Sequence, residues 1–176
     1  MRGFHLSTVK PEYYDSIRSY RAEILNGDGV FDGCQRLENY EDIEKWDLNC
    51  RLFEKQETVP PGYSTGFQFL YLENRDVVGM IDLRPEALSH VFLSRFGGHV
   101  GYNVRPSRRK QGIGTAMLKD LLKITKERFG LDQVLITCSR NNEGSRKVIM
   151  NNGGIYENAV FYPPEEDYLE RYWISL

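Results

Sequence analysis

Cysteine is scarce in this sequence. Only Cys34, Cys50 and Cys138 occur among 176 residues, an odd number at wide spacing. Such a set builds neither a disulfide framework nor a pair of metal ligands. We therefore expect three reduced, buried thiols and no metal site.

Long hydrophobic runs are also missing. The apolar stretches are short, as at 77–81, where Gly79 interrupts the run, whereas a helix that spans a bilayer needs about 20 apolar residues. The first residues, MRGFHLSTVKPEYY, lack the apolar centre of a secretory signal. The sequence thus predicts that the protein has no membrane helix and is cytoplasmic.

Neither sign of charge dominates. The formal net charge is -2 and the pI is about 6.0, whereas proteins that track a phosphate backbone carry a basic excess. Nucleic acid is therefore not predicted as a partner. The residues that are present, 40% hydrophobic and 27% charged, are typical of a globular protein, and the length predicts one domain over 1–176.

The spacing of apolar residues predicts an α/β fold. Periods of two predict strands over 4–9, 67–73, 77–83, 99–104, 133–138, 155–162 and 168–176. Periods of three and four predict helices from Pro11 to the stop at Asn26-Gly27 and over 41–56, 112–129 and 143–152. Segment 84–98 has no clear period and is predicted as a long loop or a short irregular helix. We expect a mixed sheet of about seven strands flanked by about four helices.

The stretch NVRPSRRKQGIGTAML (103–118) joins a strand end, a cationic turn, two glycines and a helix start. The first turn of a helix attracts anions through its free N–H groups and its dipole, and glycine lets a ligand approach the backbone. A Walker loop is excluded because no Lys-Ser/Thr follows the second glycine, and Met117 occupies the third glycine position of a dinucleotide fingerprint. A solvated, charged turn without a ligand stays open as an alternative.

The remaining pattern, R-x-x-G-x-G at 109–114, resembles the pyrophosphate loop of the GNAT superfamily of acyl-CoA-dependent N-acyltransferases. In that family [RQ]-x-x-G-x-[GA] likewise joins a strand to a helix, and the next helix has the form N-x-x-[AS]-x-x-[LV]-Y-x-x-x-G. Asn142, Ser145, Val148 and Gly153 fall in register with the second pattern. The motifs cover 99–154, and the predicted element order is similar to the family fold from Phe4 to Leu176.

The resemblance implies acetyl-CoA as co-substrate and gives particular residues a place on it. Tyr102, Asn103 and Val104 would offer strand backbone to the pantetheine arm. Asn142 would approach the pantetheine or the adenosine from the second helix. The pyrophosphate would be held by the loop Arg109, Lys110, Gln111, Gly112, Ile113, Gly114 and Thr115, and its cations, with Arg105 and Arg108, would face the phosphates of the coenzyme.

The resemblance specifies catalysis less completely. Family members often use a tyrosine to protonate the leaving sulfur, and this sequence has Ile149 at that place. A base is common near the start of the strand at 99–104, where His99 titrates in the right range. A hydrogen-bonded histidine with a structural role is the alternative for His99, and Glu73 and Asp82 are further candidates for the base.

The predicted function is transfer of an acetyl group from acetyl-CoA to a primary amine, by direct attack in a ternary complex and without a metal. The acceptor would be a small-molecule or peptide amine bordered by 27–40 and 84–98, and a homodimer is one possible assembly. The alternative is a non-catalytic acyl-CoA-binding module of the same fold, which the isoleucine at 149 keeps open.

Overall fold

The computed structural model describes residues 3–176, and over this range seven strands and four α-helices follow the predicted order. The strands are β1 (Phe4–Ser7), β2 (Phe67–Glu73), β3 (Asp76–Leu83), β4 (Val100–Val104), β5 (Gln133–Ser139), β6 (Ile155–Tyr162) and β7 (Asp167–Ser175). The helices are α1 (Tyr14–Leu25), α2 (Ile43–Phe53), α3 (Ile113–Phe129) and α4 (Glu143–Asn151).

The element ends differ from the predicted ones by a few residues for local reasons. α2 begins at Ile43 because the Asp42 side chain caps it, accepting hydrogen bonds from two N–H groups of the first turn at 3.0 and 3.3 Å. Segment 84–98 contains a short 3-10 turn at Ala87–Ser89 and a π-helical turn at Leu93–Gly97. The prediction of an irregular segment there is confirmed.

Hydrogen bonding divides the seven strands into two antiparallel sheets, ordered β1-β2-β3-β4 and β5-β7-β6. β4 and β5 are both edge strands, and within residues 3–176 no ladder joins them. The sheets meet just before β4, where the N–H of His99 donates to the carbonyl of Leu135 at 2.8 Å. The α/β fold class is confirmed, and the predicted sheet of about seven strands is opened between β4 and β5.

The four-stranded sheet has an apolar core on each face, because successive side chains of a strand point to opposite sides. α1 and α2 cover one face, which buries Leu70, Leu72 and Met80. α3 covers the other face, which buries Phe69, Tyr71 and Ile81 and continues under the second sheet. Cys34, Cys50 and Cys138 are free and buried, which confirms the prediction for the thiols.

A close approach between α3 and β3 fixes the helix above the sheet. A Cβ built on Gly79 would lie 2.8 Å from Sδ of Met117, so a larger residue there would require the buried Met117 side chain to move. This contact places the N-terminus of α3 beside the end of β4, where the predicted site lies.

The described residues contain neither a membrane-spanning helix nor a cluster of metal-ligating side chains. None of the described helices is long and apolar enough to cross a membrane. Residues 3–176 bring together no group of three His, Cys, Asp or Glu side chains that could hold a metal ion.

Candidate active site

The turn between β4 and α3 contains the loop predicted to bind pyrophosphate, residues 109–115, which we call the phosphate loop. Lys110 (φ 60°) and Gly112 (φ 79°) both have left-handed backbone, which reverses the chain within a few residues. No side chain caps α3, and the first bond of the helix runs from the N–H of Ala116 to the carbonyl of Gly112. The free N–H groups of the first turn, on Ile113, Gly114 and Thr115, therefore form an anion-binding helix start.

The two glycines of the motif meet different requirements. A Cβ on Gly112 would contact no atom within 4 Å, so the space above this residue is open. A Cβ on Gly114 would lie 3.1 Å from Cγ2 of Val148 and 3.5 Å from Cγ2 of Val104. Gly112 thus allows the turn and the approach of a ligand, whereas Gly114 allows α3 to pack against α4 and β4.

The cations near the loop are largely compensated by carboxylates of the same chain. Arg105 pairs with Glu23 at 3.3 Å and Arg108 with Glu73 at 2.8 Å. Arg109 pairs with Asp28. Of the four cations predicted to face coenzyme phosphates, Lys110 is the one with no ion pair in the described part of the chain.

The backbone of β4 points in two directions. The N–H of Arg84 bonds the carbonyl of His99 at 2.8 Å, and the N–H of Arg105 bonds that of Val78 at 2.9 Å. In an antiparallel ladder every second residue of a strand bonds to the same neighbouring strand. Because His99 and Arg105 bond to β3, the odd-numbered residues of β4 between them also bond to β3. The backbone groups directed toward the gap between the sheets then belong to Val100, Tyr102 and Val104.

This alternation separates the roles of the three strand residues predicted to bind pantetheine. Tyr102 presents its N–H and carbonyl to the gap, while the Val104 carbonyl already accepts a hydrogen bond from Nε of Arg109 at 2.9 Å. The backbone of Asn103 faces β3 instead. Its side chain accepts a bond from Arg109 at 3.2 Å and donates to the carbonyl of Val30.

The other predicted ligand residues surround this gap. The Tyr102 hydroxyl bonds Oγ of Ser145 at 2.7 Å, and burial raises the pKa of Tyr102. Asn142 caps α4, with Oδ1 accepting from the N–H of Ser145 at 3.0 Å, and its side chain is exposed. Gln111 bonds within the turn, to Arg108 and Ser107 at 3.4 Å each.

His99, the predicted base, joins the two sheets. It is 2% exposed, and its Nδ1 accepts a hydrogen bond from the N–H of Leu135 at 2.9 Å. Because Nδ1 is the acceptor, the proton of the neutral ring lies on Nε2 and no lone pair is free. Burial also lowers the pKa of His99. This geometry favours the structural alternative, since the bond to Leu135 must break before His99 can take up a proton.

The remaining candidates for acid and base are also engaged. Asp82 is buried, and its Oδ1 accepts from the N–H of Gly101 at 2.9 Å and from Arg84 at 3.1 Å. Glu73 forms the ion pair with Arg108. Ile149 is fully buried in the core beneath α3 and α4, so this position offers an apolar contact and no proton donor.

Residues 28–34, which we call the acceptor-side segment, cross β4 on the face covered by α1 and α2. Gly33 lies so close to the strand that a Cβ would be 2.3 Å from the carbonyl carbon of Gly101. Its carbonyl accepts a bond from Nε2 of Gln68 at 3.0 Å. The sequence predicts that 27–40 borders the acceptor site, but it does not indicate a role for Asp28, because an Asp-Gly pair predicts only a turn.

Asp32 extends from this segment into acidic surroundings. Desolvation raises the pKa of Asp32, and the negative charges of Glu165 and Asp82 raise it further. No local pattern predicts this group, since the three carboxylates lie on distant parts of the chain.

Comparison with known proteins agrees with this geometry. Residues 20–155 match the family model described as acetyltransferase (GNAT) domain. No curated protein sequence matches the chain significantly. The fold is similar to solved acetyltransferase structures at low identity.

Three of these structures have TM-scores between 0.70 and 0.75. RimL, a ribosomal L7/L12 alpha-N-protein acetyltransferase in complex with coenzyme A, has a TM-score of 0.75 at 14% identity, with 100% of this chain and 96% of that chain covered. MccE, a microcin C7 self-immunity acetyltransferase in complex with acetyl-CoA and AMP, has a TM-score of 0.72 at 11% identity, with 98% and 92% covered. The ribosomal-protein-S5-alanine acetyltransferase of Vibrio fischeri has a TM-score of 0.70 at 16% identity, with 99% and 94% covered. The chain belongs to the GNAT acetyltransferase family and is an acyltransferase.

Proposed function

We propose that this protein transfers the acetyl group of acetyl-CoA to a primary amine. The observation that carries the proposal is the open edge of β4 beside the uncapped N-terminus of α3. Pantetheine contains two amide groups, and the pyrophosphate follows it along the coenzyme. A strand edge with free backbone groups, followed by a helix start that attracts anions, matches that order of chemical groups.

Particular atoms of the chain serve this binding. The N–H and carbonyl of Tyr102 and the N–H of Val104 hydrogen-bond the amides of the pantetheine arm. The N–H groups of Ile113, Gly114 and Thr115 hold the pyrophosphate, and Lys110 adds positive charge. Asn142 keeps its Nδ2 free for a carbonyl or phosphate oxygen, since within the described residues only its Oδ1 is used.

The coenzyme supplies an acetyl thioester whose leaving group is a good one. A thiol of pKa near 8.5 leaves as thiolate at pH 7 at a cost of about 2 kcal/mol relative to its protonated form. The chain therefore needs to orient the amine and the thioester more than it needs a strong acid at position 149. Orientation of two bound reactants by itself supplies a large part of a rate enhancement.

The amine must lose a proton, and the sequence-based proposal assigns that step to His99. For this step the Leu135 bond to Nδ1 has to open. Asp32 is a second candidate, because its raised pKa brings it closer to neutral pH and it extends from the acceptor-side segment.

The acceptor is proposed as a primary amine of a small molecule or a peptide. The similar structures include enzymes named for ribosomal proteins and for microcin immunity, and they support amine acetylation without selecting one acceptor. Cytoplasmic location and a homodimer remain predictions of the sequence.

The sequence-based alternative, a non-catalytic acyl-CoA-binding module, departs from the acyltransferase activity of the family and is kept as an outcome of the test below. The apolar Ile149 and the engaged ring of His99 favour it, because both leave the family's usual acid and base positions without a free proton donor or acceptor.

Thermal unfolding with acetyl-CoA, coenzyme A or ATP, followed by thiol release against a panel of amines, separates these functions. A ligand at about 100 times its Kd raises the free energy of unfolding by about 2.7 kcal/mol. Stabilisation by the coenzymes with thiol release supports the transferase. Stabilisation without release supports the binding module, and stabilisation by neither coenzyme contradicts both.

A further inference from the structure

Arg109 connects the phosphate loop to two other parts of the molecule. Its Nε donates to the carbonyl of Val104 at 2.9 Å, and its Nη2 donates to Oδ1 of Asn103 at 3.2 Å. Its Nη1 forms an ion pair with Asp28 of the acceptor-side segment. The first residue of the glycine motif thus contacts β4 and also the acceptor-side segment, which crosses β4 on the face covered by α1 and α2.

Asp28 and Asn103 hold the same piece of the acceptor-side segment. Oδ1 of Asp28 accepts from the N–H of Val30 at 3.2 Å, and Nδ2 of Asn103 donates to the carbonyl of Val30. The hydrogen bond from Arg109 lowers the pKa of Asp28. Both backbone groups of Val30 are therefore bound by side chains that also bind Arg109.

The arrangement is better suited to fixing geometry than to adding stability. The Arg109 and Asp28 side chains are 37% and 40% exposed, and an ion pair of that exposure is screened by solvent. Asn103, in contrast, is 6% exposed and uses both ends of its amide. This amide and Asp28 thus connect Arg109 to Val30.

We propose that Arg109 is a positioning residue that couples the phosphate loop to the acceptor-side segment through Asp28 and Asn103. This inference rests on the proposed function, since it takes acetyl-CoA as the ligand of the loop. Coenzyme bound at the phosphate loop holds residues 28–34 in place against β4. Because coupling between two sites is reciprocal, an ordered acceptor-side segment also favours binding of the coenzyme.

Two substitutions isolate the coupling. Asp28→Asn keeps one oxygen to accept from the N–H of Val30 and replaces the oxygen that Arg109 binds with an NH2 group, which removes both the charge and the acceptor. Arg109→Gln removes the guanidinium. Asp15→Asn is the matched control, because Asp15 forms a similar exposed pair with Arg18 on α1 at 2.6 Å, away from the gap.

The experiment measures amide hydrogen exchange in peptides covering 28–34, with and without acetyl-CoA, and the Kd for acetyl-CoA by calorimetry. In the wild type and in Asp15→Asn, acetyl-CoA slows exchange in this segment by a factor of about ten, which is within the usual range for coupled sites. In Arg109→Gln and the double variant, acetyl-CoA binds about tenfold more weakly, as reciprocity requires, and no longer slows exchange there. Asp28→Asn leaves the link through Asn103 and shows a smaller loss of both effects. The double variant behaves like Arg109→Gln alone, because Arg109→Gln already breaks the links to both Asp28 and Asn103.

Three results would overturn the inference. The first is a wild type that binds acetyl-CoA with no change of exchange in 28–34, which leaves the proposed function intact. The second is tighter coenzyme binding in Asp28→Asn, because it would mean that Arg109 binds phosphate directly and Asp28 competes. The third is a wild type that binds no acetyl-CoA, which contradicts the proposed function as well.

Discussion

At the scale of single residues, Gly112 and Gly114 show how one motif serves two physical purposes. Gly112 has left-handed backbone with open space above it, and Gly114 is buried against Val148 and Val104. A side chain at 112 would therefore reach into the volume where a phosphate is expected. A side chain at 114 would instead push apart two helices.

Gly112→Asp should weaken acetyl-CoA binding through charge. Gly112→Asn is the matched control, because Asn and Asp tolerate left-handed backbone similarly and differ in charge. Repulsion between a carboxylate and a phosphate about 4 Å away is worth about 1 kcal/mol or more. We therefore expect the Kd for acetyl-CoA to rise about tenfold in the Asp variant relative to the Asn variant. Equal affinities in calorimetry would place the coenzyme elsewhere.

The structural role of His99 can be tested by substitutions that move the atom accepting the hydrogen bond from the N–H of Leu135. His99→Asn places an oxygen near the site of Nδ1, whereas His99→Gln places it nearer Nε2 and leaves the buried N–H of Leu135 unsatisfied. An unsatisfied buried donor costs about 1–3 kcal/mol. Chemical denaturation should therefore show a loss of that size for the Gln variant and a smaller loss for the Asn variant.

The same histidine predicts a pH dependence of stability. Its pKa in the fold lies below the unfolded value of about 6.5, so the contribution of the neutral ring is complete above that pH and is lost as the pH falls toward the folded value. His99→Asn should flatten this part of the stability curve. If His99 acts as the base, the pH–rate profile of the His99→Gln variant changes at equal folded fraction, and an unchanged profile argues for the structural role.

At the scale of elements, the acceptor-side segment depends on a glycine that faces another glycine. Gly33 and Gly29 have nearly the same left-handed φ, 68° and 69°, but a Cβ at 33 would overlap Gly101 and a Cβ at 29 would contact nothing within 4 Å. The sequence shows both residues equally, as part of a glycine-containing loop. Only the packing of the loop on β4 distinguishes them.

Gly33→Ala and Gly29→Ala together measure this packing. Both substitutions add about 1 kcal/mol or more of backbone strain, and overpacking adds about 1–3 kcal/mol at 33 alone. We expect a lower Tm for Gly33→Ala than for Gly29→Ala, by about 2–4 °C for each kcal/mol. Equal melting temperatures would show that the segment does not press on β4.

At the scale of the whole molecule, the pairing of the strands determines which backbone edges are open to a ligand. Two antiparallel sheets meet at His99 and Leu135 and leave β4 and β5 as facing edges. Unpaired edges normally invite association with another chain or a ligand. In this fold one such edge lies beside the phosphate loop, which is why binding and chemistry are expected in the same gap.

Local signals in the sequence were sufficient to predict the element order and the turn that joins β4 to α3. Apolar periods marked the helices and strands, and the glycine pair at 112 and 114 marked the start of α3. Long-range pairings were beyond such signals. Nothing local links Arg109 to Asp28, or Nδ1 of His99 to Leu135, and the cations at 105, 108 and 109 look free until Glu23, Glu73 and Asp28 are brought beside them by the fold.

The most direct test of the central claim is amide exchange by NMR along β4 and the first turn of α3, with and without acetyl-CoA. Acetyl-CoA should slow exchange at Tyr102, Val104 and residues 113–115, whose N–H groups are free within the described residues. Gly101 and Asn103, which already bond toward β3, should change little. Protection of the odd-numbered residues alone, or no protection at either element, would contradict the proposed site.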